Sequence, residues 1–61
     1  MDRNLKKRII EFRDKIGRDE LLKRLLKNGI SLTMAQKLLV GCYPYQPKID
    51  KILAIEKAMS A

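Results

Sequence analysis

The dipeptide Asn28-Gly29 constrains this chain more than any other feature. It separates one apolar run, DELLKRLLK, from a second, LTMAQKLLV, with only Ile30 and Ser31 following it before the second run begins. Glycine commonly closes a helix, and serine is a preferred helix N-cap. Gly41 closes the second run. Asp19 to Gly41 therefore reads as two short helices joined by a tight turn, which makes them cross steeply in the helix-turn-helix geometry. Whatever precedes and follows must pack around that crossing.

The chain has 61 residues, which allow one domain, residues 1–61. A core of that size is marginal, so assembly or binding is expected to add stability. Hydrophobic residues make up 46% and charged residues 34%, a balance that favours a compact soluble domain over a disordered tail. No apolar run approaches the roughly 20 residues of a membrane span. The start, MDRNLKKR, lacks the apolar segment of a secretory signal. The expectation is a cytoplasmic protein with no membrane partner.

Chemistry is narrowly bounded. Cys42 is the single cysteine and there is no histidine, which excludes an internal disulfide, a histidine base and a Cys/His metal site. The seven acidic residues form no evident acid/base couple, and no glycine-rich phosphate loop occurs. No catalytic residue, metal or cofactor is expected. The formal net charge of +7 suits an anionic partner, whether nucleic acid, a membrane surface or an acidic protein. It is uneven: residues 1–27 hold ten basic and five acidic residues, and residues 28–61 hold four and two.

Periodicity supplies the remaining elements. Leu5, Ile9, Phe12 and Ile16 form one stripe of a helix over residues 4–16, with Lys7, Arg8, Glu11 and Lys15 opposite and Gly17 at its end. It reads as a packing helix with a solvated basic face; a membrane-surface helix is the rival. Asp19 is the expected N-cap of the second helix. Leu21, Leu22, Leu25 and Leu26 form its expected buried side, with Lys23, Arg24 and Lys27 facing out. After the third helix, Cys42 to Pro47 form a loop. Cys42 is expected as a small apolar filler, one of Tyr43 and Tyr45 as a cover for the core edge, and Pro47 in the first turn of the last helix. That helix, residues 48–59, carries Ile49, Ile52, Leu53, Ile55 and Met59 over a wide arc, more apolar surface than one face needs. Leu53 is expected to be partly exposed beside Ile49, as a small contact with a second copy.

The third helix, residues 31–40, poses the functional question. On a wheel, Met34, Ala35, Leu38 and Leu39 group on one side. Thr33, Gln36, Lys37 and Val40 group on the other, with Ser31 and Leu32 at the leading end. The free face carries one amide, one hydroxyl, one ammonium and some methyl groups, the group types that read base edges in a major groove. An ordinary solvated face is the alternative, although such faces usually carry more charge.

The chain resembles the Cro and repressor class of phage helix-turn-helix regulators. The matching residues are Gly29-Ile30-Ser31 in the turn, Ala35 and Leu38 on the buried face, Gly41 after the third helix, and the closing PKIDKILAIEKAM. The likeness spans roughly residues 18–59. Leu25 stands where that class usually has a small residue and Ala35 where it has Val or Ile, an exchange that conserves volume. Asn28 replaces its apolar residue before the turn glycine. The resemblance implies a small all-α, four-helix domain containing a helix-turn-helix, which binds double-stranded DNA as a phage or prophage transcriptional repressor in a bacterial host cell. It implies base reading by Ser31, Leu32, Thr33, Gln36 and Lys37. Arg18, Lys23, Tyr43 and Lys48 are the expected phosphate contacts. A two-fold-symmetric operator would be read by a weak homodimer formed on DNA through Ile49 and Leu53. The main rival is a phage-encoded protein-interaction module, an adaptor or inhibitor of a host protein. An RNA-binding regulator is a further one, weakened by the lack of an aromatic platform.

Overall fold

A computed structural model describes residues 2–60. Among the described residues there are four helices and no strand: α1 (Arg3–Ile16), α2 (Arg18–Lys27), α3 (Leu32–Val40) and α4 (Ile49–Ala58). The protein is all-α. None of the helices is long and apolar enough to cross a membrane.

α2 is the hub. α1, α3 and α4 each pack against it, and α1 also packs against α3. The core consists of Leu5 and Ile9 of α1, Leu21 and Leu25 of α2, Ile30 of the turn, Ala35, Leu38 and Leu39 of α3, and Ile55 and Ala58 of α4. Phe12, Ile16, Leu22, Met34, Tyr43, Ile52 and Met59 are half-buried around it. Ten-residue helices are marginal alone in water, so this shared burial is what holds them. α1 begins on Asp2, whose carboxylate accepts from the amides of Asn4 (2.7 Å) and Leu5 (3.3 Å). The Asp2 amide donates to Gln46 Oε1 at 2.8 Å, tying the start of α1 to the loop before α4.

Several expectations need correction. α2 begins at Arg18, and Gly17 caps both α1 and α2. The Gly17 amide donates to the Arg13 carbonyl at 2.8 Å, and its carbonyl accepts from the Leu21 amide at 3.1 Å. Asp19 therefore lies inside the first turn, and no side chain caps α2. Leu26 is 42% exposed and Leu22 only half-buried, because α2 turns Leu21 and Leu25 inward. Arg24 does not simply face solvent: its guanidinium lies 5.7 Å from the Phe12 ring centroid and donates to the Ser60 carbonyl at 3.2 Å and to Glu20 at 3.4 Å. Cys42 is exposed and fills no gap in the core. Pro47 is buried but precedes α4, whose N-cap is Lys48.

α2 and α3 end in the same way. The Ile30 amide reaches the Leu25 carbonyl (3.0 Å) and the Gly29 amide the Leu26 carbonyl (3.1 Å). At the end of α3, Cys42 reaches Lys37 (2.9 Å) and Gly41 reaches Leu38 (3.3 Å). This paired closure is the Schellman motif, which needs a residue of positive φ. Gly29 and Gly41 supply it at φ 88° and 74°. In the first motif the apolar contact that accompanies the closure is Ile30 with Leu25, both buried. Asn28 adds a side-chain bond to the Arg24 carbonyl at 2.7 Å. A polar residue is thus accommodated there by finishing its own helix.

Candidate nucleic-acid interface

α3 starts immediately after the turn. The Ser31 hydroxyl accepts from the Met34 amide at 3.3 Å, which fixes the first turn. With Ala35, Leu38 and Leu39 fully buried, rotation of α3 about its axis is set by the core. At about 100° per residue, Leu32, Gln36, Val40, Thr33 and Lys37 then fall within an outward arc of about 140°. All five are exposed, as is Ser31, with Leu32 and Val40 each at 51%. The structure thus brings four of the five candidate base-reading residues, Leu32, Thr33, Gln36 and Lys37, together on one exposed face, with Ser31 exposed at its leading end as the N-cap. That face carries one formal charge, on Lys37, and no carboxylate.

The candidate phosphate contacts do not form one set. Arg18 opens α2 and is exposed, but Asp19 and Glu20 share its turn. These carboxylates already complement the positive end of the α2 dipole and disfavour an anion there. Lys23 lines a shallow groove of about 610 Å³ with Glu20, Arg24, Lys27, Asn28, Lys57 and Ser60, where the C-terminal ends of α2 and α4 meet. Its cations offset the negative ends of the two helices. Lys48 is exposed at the start of α4, and its carbonyl accepts from the Ile52 amide at 2.9 Å. Tyr43 is half-buried against the core, with its ring edge-to-face on Tyr45, the centroids 5.9 Å apart. Tyr43 is therefore the core cover of the pair, and Tyr45 is the exposed one.

A wider charge feature of the sequence spans α3. Residues 21–49 contain no Asp or Glu, yet carry Lys23, Arg24, Lys27, Lys37 and Lys48. This stretch runs across the boundary between the more basic residues 1–27 and the remainder, so the charge balance of neither part reveals it. The acidic residues of α1 and α4 are partly consumed in pairs. Among the described residues the ion pairs are Lys7–Glu11, Arg8–Glu56, Arg13–Asp14 and Arg24–Glu20. Lys27 is exposed in the last turn of α2, just before the turn that leads to α3, and also lines the groove where the C-terminal ends of α2 and α4 meet.

No protein-family model, no curated protein and no solved structure matches this chain.

Proposed function

We propose that this chain is a sequence-specific, duplex DNA-binding transcriptional regulator of the phage Cro/repressor type, in which α2, the turn and α3 act as a helix-turn-helix. The observation that carries this reading is the outward face of α3. It is ordered by three fully buried residues behind it, acid-free, and composed of the amide, hydroxyl, ammonium and methyl groups that match base edges. Gln36 pairs with adenine or another amide-complementary edge, Lys37 donates to guanine, and Thr33, Leu32 and Ser31 contact the leading bases. Lys27 and Lys48 position the chain on phosphates. One such helix reads only a few base pairs, so the site is a two-fold-symmetric operator occupied by a weak homodimer formed on DNA. No catalytic step and no cofactor enters this function, and the protein works in the cytoplasm of a bacterial host.

Exposed Ile49 (78%) and Leu53 (63%) on α4 support a second reading, a protein-interaction module. Selection of bound sequences from random duplex DNA at two salt concentrations separates the two. Enrichment of a palindrome, with binding that weakens steeply as salt rises, is the expected result. Recovery of no sequence at either concentration would discard the DNA reading.

A further inference from the structure

The exposed stripe on α4 is bordered by two opposite charges that form no ion pair within one copy of the chain, among the described residues. Ile49 and Leu53 lie one turn apart on the side of α4 facing away from buried Ile55 and Ala58. Asp50 and Lys57 border the same stripe along one flank. They are seven residues apart, about 10 Å along the axis, too far to pair within the helix. Among the described residues neither takes part in an ion pair. Lys57 also shares its groove with Lys23, Arg24 and Lys27, whose one acidic neighbour, Glu20, is held by Arg24. The nearest other acid on α4, Glu56, is held by Arg8 of α1.

We propose that this stripe docks a second copy of the chain, with the two α4 helices antiparallel about Leu53 and Asp50 of each copy facing the partner's Lys57. A two-fold axis perpendicular to the helix pair keeps each flank on the same side. Asp50 therefore meets the partner's Lys57 twice, and Ile49 packs beside the partner's Leu53. The occupant is a second copy because the pattern is self-complementary: one acid and one base on one flank, three residues before and four residues after Leu53, become two ion pairs under a rotation whose axis passes between Leu53 and Ala54. This contact names the surface of the homodimer proposed above and does not depend on DNA binding. Its area is that of a few side chains on one helix, well below a standard interface, so the free protein is monomeric at micromolar concentration and associates towards millimolar.

The test uses the whole chain, without DNA, in sedimentation equilibrium up to about 1 mM at low salt. Asp50→Lys and Lys57→Asp should each weaken self-association roughly tenfold, since each turns two attractions into two repulsions. The Lys57→Asp variant has a lower net charge, so weaker general repulsion would by itself strengthen its association; weakening is diagnostic of the pair. The double variant Asp50→Lys/Lys57→Asp should recover wild-type association, and so should an equimolar mixture of the two single variants. Leu53→Glu should abolish association while helical circular dichroism is retained. A wild-type chain that stays monomeric at 1 mM, or single reversals without effect, or a double variant that fails to recover while remaining folded, would each overturn the contact. None of these outcomes bears on the affinity of one chain for a half-site.

Discussion

The guanidinium of Arg13, on α1, donates to the main-chain carbonyl of Leu39 in the last turn of α3. The Gly41 closure uses the carbonyls of Lys37 and Leu38, and leaves that of Leu39 to be satisfied from another element. Arg13 does so with a charged donor placed at the negative end of the helix dipole, where a cation is favourable. Its side chain is only 28% exposed, so the bond is shielded from water. Lys6 approaches the same end of α3: a Cβ on Gly41 would sit 3.0 Å from its Cε. Arg13 thus holds, and Lys6 adjoins, the C-terminal end of the helix whose outward face is the candidate interface.

Arg13→Met should therefore cost about 1–3 kcal/mol of stability, the penalty of an unpaired, partly buried carbonyl plus the lost dipole interaction. Methionine keeps much of the stem volume, which isolates the guanidinium. Urea unfolding would measure it. A variant within a few tenths of a kcal/mol of wild type would mean that water replaces the arginine without loss.

Gly29 offers a cleaner backbone test. It has φ of 88°, and an added Cβ meets nothing within 4 Å. Any loss on substitution is then conformational and not steric crowding. Gly29→Val should destabilise by more than about 1 kcal/mol, whereas Gly29→Asn should lose distinctly less, since asparagine tolerates a left-handed conformation. Equal melting temperatures for the two variants would argue that the turn relaxes to another conformation.

The four helices and their approximate limits can be read from the chain because its punctuation is glycine and its apolar spacing is regular. Gly17, Gly29 and Gly41 all take positive φ at helix ends. The face of α3 is equally readable: burial of Ala35, Leu38 and Leu39 follows from a 3.6-residue period, and the opposite arc follows from theirs. What periodicity does not carry is the neighbour that a side chain meets. A wheel sends Arg24 outward; the fold puts Phe12 and the Ser60 carbonyl beside it. Arg13 reads as one more surface cation, because its acceptor is a carbonyl 26 residues away. Asp19 has the chemistry of a cap, but Gly17 already serves both helices and the second starts two residues too early for it. The phosphate-contact set is the least readable, since it depends on how helix ends, acids and bases converge in space.

The outward face of α3 makes a prediction that stability data do not. Thr33 and Gln36 are exposed and contribute nothing to the core. Thr33→Ala and Gln36→Ala should leave the melting temperature nearly unchanged. Each should weaken binding to the selected operator by about 1–3 kcal/mol while binding to scrambled duplex barely changes. Parallel titrations on the two duplexes measure the difference. Equal losses on both would show that these side chains do not discriminate bases.

Lys27 distinguishes a phosphate contact from a cation that merely completes a helix. It is exposed in the last turn of α2, where a cation already gains from the helix dipole, so Lys27→Ala should cost a few tenths of a kcal/mol of stability in either case. Salt dependence is the informative quantity. Each phosphate neutralised on duplex DNA contributes a slope of about −0.9 to log K against log salt. If Lys27 contacts a phosphate, Lys27→Ala should make the slope shallower by about that amount and weaken operator and scrambled DNA alike. Lys15 is an appropriate control: it is exposed on α1, beside Arg8, Glu11, Phe12 and Met59, away from the acid-free stretch around α3. Lys15→Ala removes the same charge and should leave the slope unchanged. If both variants shift the slope equally, net charge alone governs the attraction, and Lys27 holds no particular place on the DNA backbone.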